Sequence, residues 1–211
     1  MDLLKNPDFT QPVILFGGSF DPVHNGHLHI AEACLKKMPQ VKQFVFVPCY
    51  ANPWKHENLA TPIQRLFFLT EVLLGTPYKI WDFELKQENP SFTIHTLEEA
   101  KRRGAKCEQT FWLIGADSYR NLLQWKEGER LRDYCRFLVV NRPQTTFNLH
   151  SEDDIFLNIP SNSCSSTEIR DALALGNIPK HCLHPKLAAL FEELSLKSQN
   201  PYAMQCTTYD T

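Results

Sequence analysis

Two rhythms of apolar residues alternate along this chain. Short unbroken apolar runs at residues 12–16, 43–48, 111–115 and 136–140 read as strands buried on both faces. Between them apolar positions recur every three or four residues, the helical spacing, with Leu28, Ala31 and Leu35 on one face of a helix over residues 27–38. The next helix is punctuated at both ends. Thr61 is placed to cap it, Pro62 stands at the first helical position, residues 63–74 form the body and Gly75 closes it. A further helix over 93–103 is closed by Gly104, a short one opens near Asp117, and two more are expected over 165–175 and 185–196. Strict alternation over 78–85 predicts another strand, and 155–159 a last short one. Strands alternating with helices imply an α/β fold with a doubly wound, mostly parallel sheet, whose ligand sites lie at the carboxyl ends of the strands. The pattern predicts one domain over residues 12–197, with 1–11 and 198–211 as loosely ordered ends.

Composition narrows this little and excludes some classes. At 211 residues the chain is long enough to bury a core without disulfides. A net charge of −2 supplies no basic field for nucleic acid and no polybasic patch for a membrane surface. No apolar run approaches the ~20 residues of a membrane helix, and the first residues lack the basic and apolar regions of a signal peptide. Seven cysteines without a Cys-X-X-Cys pair suggest reduced thiols in a soluble, cytoplasmic protein. Nothing in the composition speaks to the oligomeric state.

The candidate chemistry is concentrated in residues 17–28, Gly17-Gly18-Ser19-Phe20-Asp21-Pro22-Val23-His24-Asn25-Gly26-His27-Leu28. A strand running through glycines into a helix N-terminus is an anion site, because unpaired N–H groups and the helix dipole both favour negative charge. Two imidazoles one turn apart can donate hydrogen bonds to one phosphoryl group. Two plainer readings stand beside this one: His24 and His27 cap the turn and open the helix, or they join His29 in a zinc site. No cysteine or acidic ligand stands at a familiar metal spacing, so no metal site is expected. The chain has neither Gly-X4-Gly-Lys-Ser/Thr nor Gly-X-Gly-X-X-Gly, which leaves this device as the nucleotide holder.

A second segment, Cys164-Ser165-Ser166-Thr167-Glu168-Ile169-Arg170, sets three hydroxyls before an apolar helical pattern with a guanidinium one turn in. Ser165 with Glu168 is a capping box. Ser166, Thr167 and Arg170 are left over from that reading and make a second anion site. Gly115-Ala116-Asp117 puts a carboxylate after a buried strand, where it either caps a helix or holds a ribose.

His-X-Gly-His behind Gly-Gly-Ser-Phe-Asp-Pro resembles the signature of the nucleotidyltransferase superfamily, and its Asn-Gly-His-Leu ending is similar to the nicotinate-nucleotide adenylyltransferases. Further segments are similar to that family's motifs. Residues 164–170 resemble Ile-Ser-Ser-Thr-X-Ile-Arg, and 115–118 with Trp125 resemble its Gly-Ala-Asp-Ser and tryptophan. Asn141-Arg142-Pro143 resembles its Arg-Pro turn, and Asn52-Pro53-Trp54-Lys55 its Pro-Pro-His-Lys. Residues 91–97 resemble Ser-Tyr-Thr-X-Asp-Thr-Leu, with Phe92 in place of tyrosine and His95 in place of aspartate.

The resemblance implies a Rossmann-like fold and adenylyl transfer from ATP, with Mg²⁺ arriving with the nucleotide, to a pyridine mononucleotide. His24 and His27 would be catalytic. Gly17, Gly18, Ser19, Phe20, Gly115, Asp117, Arg142, Ser165, Ser166, Thr167 and Arg170 would join them in binding ATP. Lys55, Phe92, Thr93 and Trp125 would hold the acceptor, with nicotinate told from nicotinamide mainly by Thr93 and backbone N–H groups. Another acceptor (nicotinamide mononucleotide, phosphopantetheine or an FMN-type substrate) and a non-catalytic nucleotide-binding relative remain as alternatives.

Overall fold

The computed structural model describes residues 4, 6–53, 59–141, 149–160 and 163–197. Strands β1 (Val13–Gly18), β2 (Gln43–Pro48), β3 (Lys79–Ile80), β4 (Thr110–Gly115), β5 (Arg136–Asn141) and β6 (Ile155–Asn158) form one sheet in the order β3-β2-β1-β4-β5-β6. Every pairing in it is parallel. Parallel neighbours need crossover connections, and helices α1 (Asn25–Lys37), α2 (Pro62–Leu73), α3 (Thr93–Arg102), α4 (Ala116–Arg120), α5 (Ser166–Ala174) and α6 (Pro185–Lys197) cover both faces.

The strands read as unbroken apolar runs because both of their faces are buried. Ile14, Phe44, Phe46, Leu113 and Leu138 face α1, α2, α5 and α6 through Cys34, Leu69, Ile169 and Phe191. The alternate residues Val13, Leu15, Val45, Trp112 and Phe137 face α3 and α4 through Ile94, Leu97 and Tyr119. The two faces stay separate because side chains alternate along a strand. Burial drives the Cys34 thiol up to about 12. Among the described residues no helix is long and apolar enough to cross a membrane.

Local punctuation predicts α2 well. Thr61 Oγ1 accepts from Gln64 N–H while Gln64 Oε1 accepts from Thr61 N–H, Pro62 opens the helix, and Gly75 beyond it has φ +90°. The expected strand over 78–85 is corrected to the two residues of β3. Trp81 N–H still reaches Phe46 O, but the chain then turns into a short 3₁₀ segment, Leu85–Gln87. Alternation there marks burial and not pairing: Trp81 stacks on Phe83, with their ring centroids 5.3 Å apart.

Within the segment 1–11, expected to be loosely ordered, residues 8 and 9 are packed against the fold. Phe9 is buried edge-on against Trp81 at 5.0 Å, and Asp8 exchanges hydrogen bonds with the Gln43 amide. Residues 198–211, expected to be a loose tail, lie outside the described residues.

Cysteine pairing overturns a further expectation. Among the described residues Cys34, Cys49, Cys107 and Cys135 form no disulfide, but Cys164 and Cys182 do, with Cα–Cα 5.3 Å. Its halves are 18 residues apart in sequence, and only the return of the chain after α5 brings them together. Both then flank the first turn of α1, where Asn25 N–H donates to Cys182 O at 2.8 Å.

Candidate active site

The sheet order reverses between β1 and β4, so the connections leaving these strands diverge and open a crevice at their carboxyl ends. Two clefts lie side by side there. One is lined by Gly17 and Gly18 of β1, the loop residue Asn52, Glu84, Ser91, Phe92, Thr93, Trp112, Trp125 and Lys126. The other is lined by His24, Gly26, His27, His29, Ala116, Asp117, Ile159, Pro160, Cys164, Ser165, Ser166 and Thr167. Phe16, Gly115 and Ser118 line both.

His-X-Gly-His has a local mechanical reason. His24 is the N-cap of α1, and its Nδ1 accepts from Gly26 N–H at 3.1 Å. His27 Nδ1 in turn accepts from His24 N–H at 3.2 Å. The two rings lie 3.8 Å apart between centroids. A Cβ on Gly26 would meet the His24 ring at 2.9 Å, so the position between the histidines requires glycine.

The capping reading of the histidines is therefore right, and it serves the chemistry. A ring nitrogen that accepts a hydrogen bond is unprotonated, so in each neutral imidazole the proton sits on Nε2 as a donor. Capping uses one end of each ring and leaves the donor at the other.

Gly17 and Gly18 end β1 and lie on the cleft with Phe92 and Trp125. A Cβ on Gly17 would meet the Trp112 ring at 2.6 Å. Phe20, at φ +49°, is buried edge-on against Phe16 and His27, and Ser19 is buried beneath the loop. Neither lines a cleft: they shape the turn that carries the histidines. Asp21 accepts from the N–H groups of Leu59 and Ala60 at 2.8 and 3.1 Å, anchoring that turn to the approach to α2.

Ser165 caps α5 by accepting from Glu168 N–H at 3.4 Å, and Ser166 and Thr167 of its first turn line the cleft of the histidines. Ser166 Oγ donates to Pro22 O at 3.1 Å, and Arg170 donates to Asp21 O at 2.9 Å and Thr167 Oγ1 at 3.3 Å. Ser166 and Arg170 thus lock the two sequence motifs onto each other. Asp117 is not the cap of α4, which is Gly115. It sits in the first turn at the cleft edge, 3.0 Å from Arg120. Thr93 opens α3 beside Phe92. Lys55 and Arg142 lie outside the described residues.

Several residues were missed by sequence reasoning. Arg65 is fully buried in α2 and donates to Ser19 O, Cys49 O and Tyr50 O at 2.6, 2.7 and 2.8 Å, tying together the loops that leave β1 and β2. Burial lowers its pKa from the usual arginine range. It had a signal: Arg65 falls on the helix face of Phe68, Leu69 and Val72, where a charge is out of place.

Glu84 had none. It is buried at the edge of the first cleft, accepting from Thr96 Oγ1 at 2.5 Å, and burial pushes its carboxyl upward against the opposing hydrogen bonds of Thr96 and Ser91. Lys126, next to Trp125, is the one basic residue among the described residues lining that cleft.

A family model described as cytidylyltransferase-like matches residues 15–172. A probable nicotinate-nucleotide adenylyltransferase of Thermus thermophilus is 35% identical over 77% of this chain and 86% of its own. A second, from Caldicellulosiruptor bescii, is 31% identical over 83% of this chain and 93% of its own. The solved Plasmodium falciparum nicotinic acid mononucleotide adenylyltransferase complexed with NaAD shares the fold, with a TM-score of 0.67 at 18% identity over 87% of this chain and 96% of that one. With its paired motifs, its sheet order and these relatives, the chain belongs to the cytidylyltransferase-like family, in the branch of the nicotinate-nucleotide adenylyltransferases.

Proposed function

We propose that this protein transfers the adenylyl group of ATP to the 5′-phosphate of nicotinate mononucleotide, giving the deamido form of NAD and pyrophosphate. The observation that carries the reading is the pair of clefts meeting at Phe16, Gly115 and Ser118, one polar and rimmed by helix starts, the other aromatic. A two-substrate transfer needs its reacting phosphates at such a junction.

An acceptor phosphate oxygen forms the new bond to the α-phosphorus in line, the bond from that phosphorus to the bridging oxygen breaks, and pyrophosphate leaves. The acceptor is already an anion, so no protein nucleophile is needed, and catalysis is positioning and charge stabilisation. The Nε2–H groups of His24 and His27 are the donors for the transferring phosphoryl group. The first turn of α5, with Ser165, Ser166 and Thr167, suits the β- and γ-phosphates, with Arg170 holding that turn in place.

Asp117 is placed for the ribose, with Gly115 beside it. Gly17 and Gly18 supply close backbone approach, while Ser19 and Phe20 act from beneath the loop. Phe92 and Trp125 line the cleft as aromatic surface suited to a planar ring, and Thr93 with its backbone N–H supplies donors for the ring substituent. Motif position assigns Lys55 to the acceptor phosphate and Arg142 to the adenosine side.

Among the described residues no three His, Cys, Asp or Glu side chains converge as a metal cage. Mg²⁺ would arrive with ATP and need few protein ligands, and the steps assigned to the protein run through its own hydrogen-bond donors.

Pyrophosphate release by purified protein with ATP and nicotinate mononucleotide, nicotinamide mononucleotide, phosphopantetheine or FMN tests the reading. Nicotinate mononucleotide is the expected preferred acceptor. His27→Ala is expected to lower turnover about 10²–10³-fold with a much smaller effect on ATP affinity. Turnover within severalfold of wild type would remove the histidines from the chemistry, and release with none of the acceptors would leave only nucleotide binding.

A further inference from the structure

Two of the motif positions at which this chain departs from its family around the acceptor, Phe92 and His95, converge on one side chain. Lys126 Nζ lies 3.2 Å from His95 Nε2 and 4.7 Å from the centroid of the Phe92 ring. An ammonium only donates, so His95 Nε2 accepts, and the neutral imidazole carries its proton on Nδ1. The ring face of Phe92 offers its negative quadrupole to the same cation. A tyrosine and an aspartate would hold this lysine differently: the aspartate would pair with its charge, whereas His95 fixes the ammonium without neutralising it.

From this arrangement, and resting on the adenylyl-transfer reading above, we infer that Lys126 is the specificity-determining cation of the acceptor cleft, pairing with the carboxylate on the nicotinate ring. His95 acts as its positioning residue.

Three observations support the ring carboxylate over the acceptor's phosphate as its partner. The reacting phosphate must lie where the two clefts meet, and Lys126 is not among the residues they share. Its anchors, Phe92 and His95, line a further depression on the α3 side, away from the histidines of the ATP cleft. Its sequence neighbour Trp125 and its contact Phe92 are the aromatic surfaces suited to a pyridine ring. The one carboxylate among the described residues lining this cleft, Glu84, is pushed toward its neutral form by burial, so it opposes a bound carboxylate less than an exposed glutamate would.

The two pyridine mononucleotides separate the alternatives, because they share the phosphate and the ribose and differ only in carboxylate against amide. Lys126 and His95 are exposed, so substitution there leaves the packed core intact. Steady-state kinetics with both acceptors at saturating ATP should show that Lys126→Met lowers kcat/KM for nicotinate mononucleotide about 10-fold more than for nicotinamide mononucleotide, mostly through KM. Lys126→Glu should carry the ratio further in the same direction.

His95→Ala should give a smaller loss of the same ratio with kcat held, and His95→Gln, which keeps an acceptor, should recover it. The wild-type preference should also shrink with added KCl, and that dependence should vanish in Lys126→Met. An equal loss on both acceptors would assign Lys126 to the shared phosphate, and an unchanged ratio would leave the selectivity to backbone groups; either overturns the inference while the adenylyl-transfer reading stands. Failure of the wild type to use either mononucleotide would remove both.

Discussion

Replacing Arg65 by methionine removes three hydrogen bonds from the loops that leave β1 and β2 while keeping an apolar stem of similar reach. The guanidinium donates to three backbone carbonyls within 2.8 Å and is fully buried, with Nε lacking any partner among the described residues. Hydrogen bonds to a buried charge contribute about 1.5–3 kcal/mol each, so the three together favour the native loops by roughly 5–9 kcal/mol. Desolvation of the guanidinium opposes this by several kcal/mol, and breaking such a buried cluster from one side nets about 3–5 kcal/mol. For a domain of this size that corresponds to a fall in Tm of about 10 °C.

Thermal unfolding followed by circular dichroism measures that loss. Acceptor kinetics should show a rise in KM for the mononucleotide larger than that for ATP, because Gly18, Cys49 and Asn52 line the cleft proposed for the acceptor. Arg65→Lys should recover less than half of the stability, since one ammonium cannot span carbonyls that the planar fork reaches together. A Tm within about 2 °C of wild type for Arg65→Met, or full rescue by lysine, would refute the stapling role.

Arg170→Lys should raise KM for ATP about 5–10-fold, because a lysine cannot hold Asp21 O and Thr167 Oγ1 together, and comparable KM values would reduce α5 to a capped helix. Glu84 should make stability fall as pH rises. Burial raises its folded pKa above the unfolded value, so its contribution is complete below the ordinary carboxylate range and is lost as pH climbs through the folded value. Glu84→Gln should flatten that slope in Tm measured between about pH 5 and 8, and parallel slopes would contradict the assignment.

What was legible in the sequence was local. The ends of α2 follow from Thr61, Pro62 and Gly75 because caps, a fixed proline φ and a positive glycine φ act within a single turn. The strands β1, β2, β4 and β5 were legible because burial on both faces leaves an unbroken apolar run. The histidine motif was legible for the same reason as the ends of α2: His24, Gly26 and His27 make their contacts with one another.

Tertiary structure decided what depends on distant segments meeting. The alternation at 78–85 could not reveal that the chain leaves the sheet after Ile80, because burial against Phe9 and Phe83 produces the same pattern as pairing. The cysteine spacing did not mark Cys164 and Cys182 as partners, since only the fold-back after α5 brings them within bonding distance. The roles of Arg65, Glu84 and Lys126 depend on groups contributed by other loops and helices: the carbonyls of Ser19 and Cys49, the hydroxyl of Thr96, and the imidazole of His95. Backbone propensity and hydrophobic period are properties of neighbouring residues, so the sequence alone determined most of the elements and the local form of the histidine motif. A buried charge or a paired side chain is set by what packs against it, and that was settled only when the sheet order β3-β2-β1-β4-β5-β6 closed the two clefts around β1 and β4.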